Sequence, residues 1–111
     1  MSVINLTDLN FEQEVMQSDK PVLIDFFATW CGPCTMVSPL VDEIAQQRSD
    51  IKVCKVDVDD QGELASRFGV SSIPMLVVMK NGKVTAKETG TAVIYVQTIN
   101  GIWKTCKVTV N

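Results

Sequence analysis

The chain has 111 residues, 46% of them hydrophobic and 21% charged, with a formal net charge of -3 and no histidine. Length and composition fit one soluble globular domain, and the acidic balance leaves no basic stripe for nucleic-acid phosphates and no polybasic anchor for a membrane surface. Without histidine the commonest general base and metal ligand are missing, so any chemistry rests on cysteine, carboxylate or lysine.

In chain order, residues 3–6 read as a short strand, and Thr7 or Asp8 is placed to cap a helix with Leu9, Phe11, Val15 and Met16 as its apolar contacts. Lys20-Pro21 breaks that helix. Residues 22–27 are almost continuously apolar, which suits a central strand covered on both faces, with Asp25 as the odd member. From 34 to 47, Met36, Val37, Leu40, Val41, Ile44 and Ala45 recur at helical spacing around Pro39, so a helix kinked near that proline is expected. Residues 51–58 alternate as a strand, and the acidic turn at 57–60 leads into a short helix over 61–68. Pro74 precedes an apolar strand over 75–79, and Asn81-Gly82 is a two-residue hairpin signal joining it to 83–89. The order β-α-β-α-β-α-β-β implies an α/β fold, a mixed sheet sandwiched between helices. With no repeat, linker or low-complexity tract, residues 1–111 form a single domain.

The N-terminus carries no basic segment followed by an apolar run, so no signal peptide is expected. Four cysteines, Cys31, Cys34, Cys54 and Cys106, would suffice for two structural disulfides. A chain long enough for a core and lacking an export signal points instead to the reducing cytoplasm.

Trp30-Cys31-Gly32-Pro33-Cys34 lies between the buried strand and a helix, where open α/β sheets bind ligands. A helix starting near Gly32 sets Cys31 against free N–H groups and the positive dipole end, which favour a thiolate, so Cys31 is the expected nucleophile. Cys34 falls one helical turn on, within reach of a disulfide, as the resolving thiol. Pro33 suits the first turn of the helix. The competing reading, a zinc site completed by Cys54 and Cys106, is disfavoured because Cys54 sits inside a strand and neither cysteine has a close cysteine neighbour; both read as packing residues. Asp25 reads as a carboxylate whose burial raises its pKa.

Residues 1 to about 90 resemble the thioredoxin family, through WCGPC, the strand VLIDFFATW, the KVDVDD segment and SSIPM. The resemblance implies a thioredoxin-like fold and reduction of protein disulfides by dithiol exchange. It makes Asp25 the general acid/base behind Cys34, with Lys55 as the lysine approaching that aspartate. It implies a cis peptide at Ile73-Pro74 and an apolar contact surface formed by Trp30, Gly32, Pro33, Ile73, Pro74 and Gly90. No bound cofactor beyond the redox-active Cys31–Cys34 disulfide is implied; the partners are disulfide-containing target proteins and a flavin-dependent thioredoxin reductase. No nucleic acid, membrane or metal is expected.

After Gly90 the chain departs from the family, which ends in an amphipathic helix. The segment TAVIYVQTINGIWKTCKVTVN is dense in Val, Ile and Thr, with Asn100-Gly101 as a tight turn and Cys106, Val108 and Val110 alternating with Lys107 and Thr109. A β-hairpin replacing the helix is the preferred reading. Tyr95, Ile99, Ile102 and Cys106 also fall near heptad spacing, but Gly101 and the β-branched content weigh against a helix. The segment is similar to the last strands of bacterial immunoglobulin-like domains, and the abrupt change implies a recombined or engineered chain. Such a hairpin is expected to extend the sheet past residues 83–89 and to favour self-association.

Overall fold

The computed structural model describes residues 3–89, 92–97 and 103–108. Its elements are β1 (Ile4–Asn5), a wide helical turn (Glu12–Met16), β2 (Val22–Phe27), α1 (Gly32–Gln47), β3 (Lys52–Asp57), α2 (Gly62–Arg67), β4 (Met75–Lys80), β5 (Lys83–Thr89), β6 (Ala92–Gln97) and β7 (Trp103–Val108). The first five strands make one mixed sheet in the order β1-β3-β2-β4-β5. β2 lies at its centre, parallel to β3 and antiparallel to β4. Its near-continuous apolar run follows from that position, since both faces are covered.

Alternation along the strands divides the core in two. On one face Val22, Ile24 and Phe26 from β2, Cys54 and Val56 from β3 and Met75, Val77 and Met79 from β4 pack with Phe11, Val15 and Leu64. On the other, Leu23, Val53, Leu76 and Val78 meet Val37, Val41 and Ala45 of α1. Full burial of each such side chain contributes on the order of 1.5–3 kcal/mol. Phe68, at the end of α2, closes the first face, its ring 5.8 Å from Phe11 and 5.2 Å from Phe26.

The first helix differs from expectation. Thr7 is not its cap: the Thr7 hydroxyl accepts from Leu9 N–H at 3.2 Å, and Thr7 N–H donates to Asn10 Oδ1 at 2.8 Å. Those bonds close a local turn, the usual competition that Thr and Asn side chains offer to helix. The helical turn therefore begins only after Phe11 and ends at Met16, ahead of the Lys20-Pro21 breaker. Leu9 projects into solvent, 97% exposed, and makes no core contact. Further along, α1 runs unbroken through Pro39. The Asn81-Gly82 turn joins β4 to β5 with both residues at positive φ, 53° and 75°, the backbone that a tight hairpin of this type requires.

β6 and β7 pair antiparallel, Ala92 opposite Val108 and Ile94 opposite Cys106, in a two-stranded sheet of their own. The five-stranded sheet ends at β5. The anticipated turn at Asn100-Gly101 lies outside the described residues.

Candidate active site

β2 runs directly into the site. After Phe27 the chain turns at Ala28, whose carbonyl accepts from Cys31 N–H at 3.2 Å, and α1 starts at Gly32. Cys31 is the N-cap of α1, in extended conformation, and its sulfur accepts from Cys34 N–H at 3.2 Å. The sulfur thus takes the place an N-capping Ser or Asp oxygen usually fills, where the unpaired N–H groups and dipole of a helix stabilise negative charge. Pro33 stands in the first turn, where its missing N–H leaves no helical bond unmade.

Cys31 and Cys34 are joined by a disulfide, their Cα atoms 5.3 Å apart. Both are buried, in a small cluster with Ala28 that is flanked by Phe27, Val58 and Ile73. The Ile73 carbonyl lies 4.0 Å from Cys31 Sγ, and the Ile73-Pro74 peptide is cis. Around the pair Trp30 is 71% exposed and Gly32 is exposed, while Pro33 and Ile73 are half-buried. Pro74 is buried. Gly90 lies outside the described residues.

Asp25 and Lys55 are register partners on β2 and β3. Strand alternation puts both on the α1 face, Asp25 between Leu23 and Phe27 and Lys55 two residues past Val53. Asp25 is 1% exposed and neither carboxylate oxygen has a hydrogen-bond partner. Burial pushes its pKa up to about 6, with Lys55 pulling it down and Asp42 adding to the rise. Lys55 does not bond Asp25: its ammonium donates to Ser38 Oγ and pairs with Asp42 Oδ1 at 3.0 Å.

Asp59, Ser38 and Asp42 join the site without having been singled out in the sequence. Asp59 Oδ2 accepts from Trp30 Nε1 at 2.8 Å and holds the indole beside Cys31. Its sequence signal, the acidic run at 57–60, reads as a turn. Ser38 and Asp42 follow Cys34 at spacings of four, a single row along α1, and that periodicity was the available signal. Cys54 is a free, fully buried thiol on the opposite face of β3, its pKa raised to about 12 by burial. Among the described residues no cluster of His, Cys, Asp or Glu could hold a metal ion. No helix among them is long and apolar enough to cross a membrane.

Comparison with known proteins agrees with this geometry. The thioredoxin family model matches residues 2–99. Thioredoxin 1 of Synechococcus elongatus is 56% identical over 79 residues, covering 70% of this chain and 74% of the relative. Thioredoxin of Porphyra purpurea is 52% identical over 84 residues, 75% of this chain and 78% of the relative, and that of Pseudomonas aeruginosa 43% identical over 89 residues, 79% and 82%. With the fold, the paired cysteines at the head of α1 and these matches in agreement, the chain belongs to the thioredoxin family and has the enzyme class of its protein-disulfide reductases.

Proposed function

We propose that the chain reduces protein disulfides in the cytoplasm by dithiol-disulfide exchange through its CGPC motif. The supporting observation is the sulfur of Cys31 capping α1 and accepting the Cys34 N–H, an arrangement that favours thiolate over thiol. In the reduced protein the Cys31 thiolate attacks one sulfur of a target disulfide, forming a mixed disulfide and expelling the other target sulfur as a thiolate. Cys34 gives its proton to the Asp25 carboxylate and attacks Cys31 Sγ, which releases the second target sulfur. The target gains two electrons and, with protonation of its two sulfurs, becomes a dithiol; the enzyme is left with the Cys31–Cys34 disulfide.

Asp25 suits the proton transfer because burial raises its pKa to about 6, so both of its forms are accessible near neutrality. Lys55 is the neighbouring charge that moderates that rise. Trp30, Gly32, Pro33, Ile73, Pro74 and Gly90 are the proposed contact surface, with the Ile73 backbone pairing with an extended target segment. Electrons return from a flavin-dependent thioredoxin reductase, so the chain needs no bound cofactor of its own.

Reduction of insulin by dithiothreitol tests the proposal. The chain is expected to accelerate precipitation of the insulin B chain, with Cys31→Ser abolishing the effect. Cys34→Ser is expected to accumulate a mixed disulfide visible by non-reducing electrophoresis. Equal turbidity rates for all three proteins would instead leave a recombined scaffold with incidental activity.

A further inference from the structure

The row Cys34, Ser38, Asp42 on α1 passes over the strand pair that carries Asp25 and Lys55. Lys55 is the register neighbour of Asp25. Two opposite charges on adjacent strands of a buried face would ordinarily draw together into an ion pair, because the interior screens them poorly. They do not pair here. The ammonium, with its side chain only 13% exposed, instead points to α1, to Ser38 Oγ and to Asp42 Oδ1 at 3.0 Å, while both Asp25 oxygens are unpartnered.

We propose that Ser38 and Asp42 are positioning residues that hold the Lys55 ammonium off Asp25, so that the Asp25 carboxyl stays available to exchange a proton with Cys34. This inference rests on the proposed role of Asp25 in resolving the mixed disulfide. The charged groups acting on Asp25 are Lys55 from β3 and Asp42 from α1, the helix that also carries Cys34 and Ser38; β4 sets apolar Leu76 opposite it in register. Asp42 acts twice. Its negative charge makes proton loss from Asp25 harder, and its bond to Lys55 keeps the compensating positive charge at a distance. Half-exposed Asp42 ties the ammonium toward water, whereas Ser38 contributes a neutral oxygen that affects Asp25 only through Lys55.

That asymmetry makes Ser38 the diagnostic position. An opposite charge brought within contact range lowers an aspartate pKa by roughly one to three units. With Ser38→Ala, carbon-13 NMR of the Asp25 carboxyl in the oxidised protein is expected to show its titration midpoint falling by about half a pH unit, and by about one unit when Asp42→Asn is added. Ser38→Thr, which keeps the hydroxyl, is expected to restore the parent midpoint. In a Lys55→Met background, Ser38→Ala is expected to shift nothing, a result that a general loosening of α1 would not give.

Single-turnover release of target from the mixed disulfide, followed across pH, completes the test. Its acid limb is expected to move down with the NMR midpoint. An unchanged or raised midpoint in Ser38→Ala would overturn the positioning role whatever the activity. A lowered midpoint with an unmoved rate profile would confirm the diversion of Lys55 and overturn Asp25 as the proton acceptor.

Discussion

On one face of the central sheet, β2 and β3 present Ile24, Phe26, Cys54 and Val56 to Phe11, Val15 and Leu64, with no charged side chain among them. On the other, the same strands present Asp25 and Lys55 to α1, beneath the helix whose first turn carries the Cys31–Cys34 pair. The contrast separates packing from chemistry within single strands: Cys54 and Lys55 are adjacent in sequence, yet alternation sends them to opposite faces. A cysteine becomes reactive through what surrounds its sulfur. Cys31 has a helix N-terminus and a donated N–H; Cys54 lies in the core, where burial raises its pKa to about 12, with Lys52 pulling it down and Glu14 adding to the rise.

The sharpest way to break that contrast is alkylation. In the reduced protein at pH 7, iodoacetamide is expected to modify Cys31 about a thousandfold or more faster than Cys54, because so little Cys54 is thiolate and its sulfur is fully buried. Peptide-resolved mass spectrometry over a time course reads both rates. Comparable rates would mean that the faces differ less than their surroundings indicate.

Next in size is the cost of the carboxyl on the reactive face. The folded state raises the Asp25 pKa from 3.8 to about 6, so it prefers the neutral acid more strongly than the unfolded chain does. The contribution of Asp25 to stability is therefore greatest below pH 4, falls as pH rises from about 4 to 6, and levels off above that, a loss on the order of 3 kcal/mol. Asp25→Ala is expected to remove this slope in urea unfolding followed at pH 4, 5, 6 and 7. A slope that persists in the variant would assign the pH dependence to other groups.

Much of this arrangement is legible in the sequence, for physical reasons that also mark where legibility stops. The apolar run at β2, the periodicity of α1 and the Asn81-Gly82 turn are local signals, and each element forms where its pattern places it. WCGPC locates the pair because an N-cap and a one-turn spacing are local geometry as well. The first helix departs from expectation because Thr7 and Asn10 spend their side chains on a turn, a competition that apolar periodicity does not register. The Trp30–Asp59 and Lys55–Asp42 contacts span 29 and 13 positions of sequence, and only the assembled sheet and helix bring them together.

The smallest expected effect concerns the edge of the apolar face, where two glycines with opposite requirements can be compared. Gly82 sits at φ 75°, and a Cβ there would come 3.3 Å from Met16 Cε, the flexible end of a side chain packed against the apolar core. Since Met16 can yield, the backbone conformation carries most of the penalty, and Gly82→Ala is expected to cost about 1 kcal/mol. Gly82→Asn should cost less, because Asn tolerates the left-handed region. Gly62, in the first turn of α2, has no positive φ and nothing within 4 Å of the point an added Cβ would occupy, so Gly62→Ala is expected to stabilise by about 0.4–1 kcal/mol by restricting the unfolded chain. Thermal unfolding of the three variants reads the signs directly: equal losses at both glycines would show that packing at this edge, and not backbone conformation, sets the cost.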